Sequence, residues 1–194
     1  MSLGFRIKSG YAVALVLDGS RAAPIAVARH VVELCDPELP ETRQPYHGGF
    51  GREEGDAIAI AKRTRIVKKC AARAIAALMR AVDGGGRCTH GHGAIRAGLV
   101  VGSVIDPRQV ANPHIRAHAN EGKLFRTVVE QALRAHGVSC TVFLEKHLAA
   151  TAAAALERDA ASIRQTLAGF GRALKGPWRA EEKAAATAAW LTLT

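Results

Sequence analysis

The sequence predicts a mixed α/β domain over residues 1–194, with three antiparallel strands joined to two parallel strands in a five-stranded sheet flanked by helices. Three observations predict it. The first 34 residues are rich in β-branched and apolar side chains and carry two turn signals, Ser9-Gly10 and Asp18-Gly19. Two later runs, A-G-L-V-V-G-S-V-I at residues 97–105 and T-V-F-L within residues 139–145, read as strands covered on both faces. Between and after these runs, apolar residues recur at helical spacing.

In chain order, residues 4–17, broken at Ser9-Gly10, and residues 25–34 predict a three-stranded meander. Residues 36–55 hold Pro37, Pro40, Pro45 and the stretch Tyr46-His47-Gly48-Gly49, so they predict a flexible loop; Tyr46 and His47 fit either a lid or plain surface. Residues 56–82 predict a long helix with Ile58, Ile66, Val67, Cys70, Ala74, Ile75, Leu78 and Val82 on one stripe. A second flexible loop is expected over residues 84–94, which open with Gly84-Gly85-Gly86. A helix over residues 121–136, closing at Gly137, connects the two apolar strands in parallel through a right-handed crossover. Two alanine-rich helices complete the order βββ-α-β-α-β-α-α, broken at Gly176-Pro177 before Trp178, which is expected to anchor the last helix in the core.

Hydrophobic residues are 48% and charged residues 23% of the chain, a balance that predicts folding rather than disorder. No apolar run reaches ~18 residues and no signal-peptide pattern opens the chain, so the expectation is a cytoplasmic protein without a membrane span. Cys35, Cys70, Cys88 and Cys140 form no C-x-x-C pair, which speaks against a zinc ribbon and for reduced, buried thiols. A net charge of +10, from 27 Lys and Arg against 17 Asp and Glu, favours a polyanionic partner such as DNA or RNA, or else serves solubility. Aromatic residues are only 5%, which weakens any base-stacking mode of recognition.

Lys62, Arg65, Lys69, Arg73 and Arg80 fall on one face of the long helix, and no acid occurs over residues 57–82. Such a row repels itself, and a phosphate backbone or an acidic protein surface would relieve it; a solvated polar face is the plain alternative. The segment after the first buried strand carries Asp106, Arg108, Asn112, His114, Arg116 and His118. It leaves the carboxyl end of a strand, where open α/β sheets bind ligands. If Pro113 starts a helical turn, His114 and His118 stand at i and i+4 and suit a transition metal with Asp106 or Glu145 as third ligand. Capping or solvent contact explains the same histidines. His90 and His92 form another imidazole pair, flanked by glycines that make a site costly to order. Glu181 and Glu182 suit the first turn of a helix, where its dipole favours acids.

The element order resembles the ribonuclease-H-like fold, and three motifs resemble the Holliday-junction-resolvase-like nucleases, particularly their compact pre-ribosomal-RNA nuclease branch. These are Leu99-Val100-Val101-Gly102-Ser103, Leu144-Glu145-Lys146-His147-Leu148 and Glu181-Glu182-Lys183-Ala184-Ala185-Ala186. The resemblance implies carboxylates holding two divalent cations, Mg²⁺ or Mn²⁺, one of them an Asp at the end of the first strand. Here that neighbourhood reads Arg6-Ile7-Lys8-Ser9-Gly10-Tyr11, and no acid precedes Asp18. Lys8 at the expected acid would repel a cation and attract phosphate, or else it sits in an exposed tight turn.

Three functions fit. One is a catalytically degenerate nucleic-acid-binding protein with phosphate contacts from Lys8, Lys62, Lys69, Arg73, Arg108, His114 and Arg116. Another is a metal-dependent, structure-selective nuclease whose acids are redistributed to Asp106, Glu145 and Glu182. The last is a protein-interaction or phosphate-ligand module, and the alanine-rich helices leave a homo-oligomer open.

Overall fold

In the computed structural model, residues 1–84 and 94–194 are described. Cys88, His90, His92 and most of the expected loop over residues 84–94 therefore lie outside the described residues. Strands β1 (Ser2–Ile7), β2 (Tyr11–Gly19) and β3 (Pro24–Glu33) precede helix α1 (Ala57–Gly84). Strand β4 (Arg96–Val101), helix α2 (Pro113–Ala135) and strand β5 (Ser139–Leu144) follow, and α3 (Leu148–Leu156), α4 (Ala160–Leu174) and α5 (Ala180–Thr192) close the chain. The sheet order is β3-β2-β1-β4-β5. Pairing is antiparallel from β3 through β1 and parallel from β1 through β5, as the meander and the paired apolar runs predict.

Alternation along β2 feeds two cores. Ala12, Ala14 and Val16 point into a layer with Val67, Ile75, Leu124 and Val128 of α1 and α2. Val13, Leu15 and Leu17 point into the opposite layer with Leu148, Leu167, Phe170 and Trp190 of α3, α4 and α5. Every residue of β1 is buried because helices cover both faces of the sheet there. Gly10, at a φ of 87°, makes the predicted break between β1 and β2.

Five expectations shift. The apolar run at residues 97–105 pairs only through Val101, opposite Leu144; beyond β4 the chain has no strand partner, and Val104 and Ile105 are half exposed. The β2–β3 turn lies beyond Asp18-Gly19, where Ser20 and Ala23 exchange backbone hydrogen bonds. The crossover helix starts at Pro113, eight residues earlier than residue 121, because the Asn112 side chain accepts the Ile115 N–H at 3.1 Å and Pro113 fills the first helical position. The C-terminal segment holds three helices rather than two: Glu157 in a left-handed conformation ends α3, and the Asp159 carboxylate caps α4. Trp178 is only partly buried, and the fully buried anchor of α5 is Trp190.

Residues 36–55 carry two short 3-10 turns, Pro40–Thr42 and Gly49–Gly51, and they are tied down by side chains. Arg63 of α1 donates to the His47 carbonyl at 3.2 Å and to the Glu54 carboxylate at 2.9 Å. Among the described residues, no helix is long and apolar enough to cross a membrane.

Candidate functional site

Strands β1, β4 and β5 run parallel, so their carboxyl ends at Ile7, Val101 and Leu144 lie along one edge of the sheet. A cleft of about 300 Å³ opens at this edge between the β1 and β4 ends and α2. Arg6, Lys8, Lys123 and Arg126 line it, and among the described residues no carboxylate does. The Arg126 Nε is buried and makes no hydrogen bond among the described residues.

A charged side chain in a strand covered on both faces must be paired. Arg6, 4% exposed, meets this condition with a fork: its Nε donates to Glu145 Oε1 at 3.0 Å and its Nη2 to Oε2 at 2.5 Å. Its Nη1 donates to the Ile7 carbonyl at 2.7 Å. Glu145 itself sits in the short 3-10 turn Glu145–His147 after β5, as its place at a strand end predicts. The cation built into the end of β1 is therefore Arg6 rather than Lys8. Lys8 is partly exposed in the turn, with its Nζ 3.7 Å from Glu181 Oε1. Glu181 also accepts the Tyr11 hydroxyl at 3.1 Å, and burial together with this carboxylate raises the Tyr11 pKa.

The three acids expected to converge do not. Glu145 is held by Arg6, Glu182 by Arg29 and Asp106 by Arg108. Glu182, 3% exposed, accepts Arg29 Nη2 at 2.6 Å and the Arg179 backbone N–H at 2.8 Å, so it joins α5 to β3 while capping the helix. Asp106 caps the 3-10 turn Pro107–Gln109, and hydrogen bonds from the Arg108 side chain and backbone hold its carboxyl down to about 2. Each acid is neutralised by its own arginine, which removes the repulsion that would otherwise call for a shared metal.

The phosphate-contact residues divide in two. Lys62, Lys69 and Arg73 are exposed on α1, together with Arg65 and Arg80, and no described carboxylate forms an ion pair with them. Arg116 and Arg108 are already engaged. Arg116 forks onto Glu53, which its guanidinium holds below the usual carboxylate range, and Arg108 is tied to Asp106. His114 belongs to an imidazole cluster.

That cluster comprises His47, His114 and His118, each offering a ring nitrogen within 4.8 Å of the others; among the described residues it is the group of three or more potential metal donors so placed. Asp106, expected as a ligand beside His114 and His118, is not a member, since Arg108 holds it and His47 takes the third position. Because α2 starts at Pro113, His114, His118 and Glu121 fall on one helical face. Glu121 is fully buried and receives the His47 Nδ1 at 2.7 Å. Its other oxygen lies 3.5 Å from His118 Nδ1, too far for a well-formed hydrogen bond, and makes none elsewhere among the described residues. A buried carboxylate without a nearby cation costs several kcal/mol. The sequence does hold the i, i+4, i+7 spacing of His114, His118 and Glu121, but only a helix start at Pro113 makes it visible. Arg6, His47, Lys123 and Arg126 carry no local pattern that marks them.

No protein-family model matches the chain, and no curated protein matches it. Solved structures do. RuvC of Thermus thermophilus aligns with a TM-score of 0.51 and 13% identity over 98% of this chain and 90% of that one. T. thermophilus RuvC in complex with Holliday junction substrate aligns with a TM-score of 0.53 and 15% identity over the same shares of the two chains. At such identities the likeness is one of fold. The mixed sheet, its strand order and these alignments together establish that the chain has the ribonuclease-H-like fold of RuvC.

Proposed function

We propose that this protein binds nucleic acid through the phosphate backbone and does not cleave it by two-metal chemistry at the sheet end. The observation that carries the reading is the Arg6–Glu145 fork at the carboxyl end of β1, where the family resemblance implies metal-holding carboxylates. A guanidinium there repels a divalent cation and occupies the acid that a cation would need. Around it the cleft offers Lys8, Lys123 and Arg126 with no lining acid, a setting that favours phosphate oxygens. The exposed row Lys62, Lys69 and Arg73 on α1 extends the positive field along a second surface. The RuvC structure with a Holliday junction makes branched DNA the first substrate to try.

Fluorescence anisotropy with a labelled four-way junction, a duplex and a structured RNA tests this. Affinity is expected to fall steeply between about 50 and 200 mM salt, since each phosphate contact releases counterions and contributes about −0.9 to the log–log slope. Combined Lys62→Ala, Lys69→Ala and Arg73→Ala should lower the slope by about 2–3. Salt-independent binding, or cleavage of any of these substrates that needs Mg²⁺ or Mn²⁺ and is lost in Glu145→Gln, would overturn the proposal.

A further inference from the structure

We propose that His47, His114 and His118 bind a late first-row transition-metal dication of the Zn²⁺ type through their Nε2 atoms, with one coordination position left open. The site is separate from the Arg6–Glu145 pair, and it stands whether or not the protein binds nucleic acid.

Hydrogen bonding at the far side of each ring sets which nitrogen carries the proton. The His114 Nδ1 lies 2.7 Å from the Gly51 carbonyl oxygen, which only accepts, so Nδ1 is the donor and a neutral ring keeps its lone pair on Nε2. Glu121 does the same for His47, with Oε1 2.7 Å from Nδ1, while its Oε2 lies 3.5 Å from His118 Nδ1, an electrostatic contact rather than a hydrogen bond. His47 is 8% exposed, and its Nε2 is buried without a hydrogen-bond partner among the described residues. The His114 and His118 Nε2 atoms face each other at 3.3 Å. Lone pairs converging on one point repel unless a cation stands between them.

The spacing fits such a cation. With Zn–N bonds of about 2.0–2.1 Å, two nitrogens of a tetrahedral site stand roughly 3.3–3.4 Å apart, and the His114–His118 separation is 3.3 Å. A carboxylate that orients ligand imidazoles from behind also raises their basicity, the arrangement Glu121 provides. Three imidazoles and no carboxylate ligand select Zn²⁺, Co²⁺, Ni²⁺ or Cu²⁺ over Mg²⁺. Three protein donors leave a tetrahedral ion its fourth position for water or an anion. His118 also lines the cationic cleft, so the ion would stand at its margin. It would also fasten residues 36–55, which supply His47, to the first turns of α2.

The rival occupant is a proton, which would turn one ring into an imidazolium and neutralise Glu121 without any metal. The test uses the untagged full chain, stripped with chelator, titrated calorimetrically with Zn²⁺ and followed by visible absorption with Co²⁺. One equivalent of Zn²⁺ is expected to bind at micromolar or lower Kd, and Co²⁺ to give the intense d–d bands of a low-symmetry, four- or five-coordinate site. His114 and His118 are exposed, so His114→Ala and His118→Ala should leave the fold intact while weakening binding at least 100-fold; His90→Ala with His92→Ala should leave it unchanged. Glu121→Gln should weaken it about 10–100-fold. Absence of saturable Zn²⁺ binding and of the Co²⁺ bands in the parent chain overturns the site, as does full binding by the His114→Ala, His118→Ala double variant.

Discussion

The Arg6 guanidinium reaches the Glu145 carboxylate from β1 to the end of β5, although β4 lies between those strands. The two ends of this pair differ in exposure: the Arg6 side chain is 5% exposed and that of Glu145 is 47%. Loss of either partner is therefore unequal. In Arg6→Met the carboxylate can take up water, and a destabilisation of about 1–2 kcal/mol is expected. In Glu145→Ala the guanidinium stays buried with its fork unpaired, and about 2–4 kcal/mol is expected. Urea unfolding of both variants measures the order; an Arg6→Met cost equal to or above that of Glu145→Ala contradicts it.

Gly4 and Gly98 are paired across β1 and β4, and α5 lies directly on them. A Cβ at Gly4 would strike the Ala185 carbonyl oxygen, and one at Gly98 would stand 2.5 Å from the Ala188 oxygen. The obstacles are helix backbone and cannot rotate away, so Gly4→Ala and Gly98→Ala should each destabilise by about 3 kcal/mol, the upper range for overpacking. Gly102→Ala, with nothing within 4 Å of the added carbon, is the matched control and should be near neutral. Thermal melts of the three variants decide it.

This close approach explains what the last helix needed from its sequence. Ala184, Ala185, Ala186, Ala188 and Ala189 let α5 sit against glycines, and the alanine run was visible in the sequence while its reason was not. The strands were legible because burial on both faces demands continuous apolar runs, as in Leu99-Val100-Val101. Arg6 broke that rule: its partner is 139 residues away, and only the fold brings them together. The start of α2 was hidden because its first turns, Pro-His-Ile-Arg-Ala-His-Ala-Asn, bury little but Ala117 and so lack apolar periodicity. His47 joins Glu121 over 74 residues, from a proline-rich segment whose position is set by Arg63, Arg116 and Gly51 contacts rather than by local preference.

Burial raises the pKa of the Cys35 and Cys70 thiols and pushes Cys140 up to about 11. The reactive species is the thiolate, so these three should resist alkylation in the native protein at pH 8. Iodoacetamide labelling followed by peptide mapping should find them modified only after denaturation. Native labelling of Cys140 at a rate near that of the unfolded chain would contradict this.

Glu182 gives a pH dependence whose direction can be worked out. Burial pushes its carboxyl up, but the hydrogen bonds from Arg29 and from the Arg179 backbone, with the Arg29 charge, outweigh burial and leave it below the usual value of 4.5. A carboxyl with a lowered folded-state pKa is bound by fewer protons in the folded than in the unfolded chain, so stability rises with pH across this range. The contribution is fully present above the unfolded value and is lost as pH falls through the depressed folded one. Glu182→Gln should therefore be less stable than the parent at pH 7, by about 2–4 kcal/mol, because Arg29 loses its ionic partner and α5 loses part of its cap. The gap should close as pH falls below about 4.5, where the parent carboxyl takes up its proton. Other acids, Glu53 and Asp159 among them, are also held low and impose a slope common to both proteins, so the difference between their denaturation curves isolates Glu182. A gap that stays constant from pH 7 down to pH 3 would show that the carboxylate charge is not what joins α5 to β3.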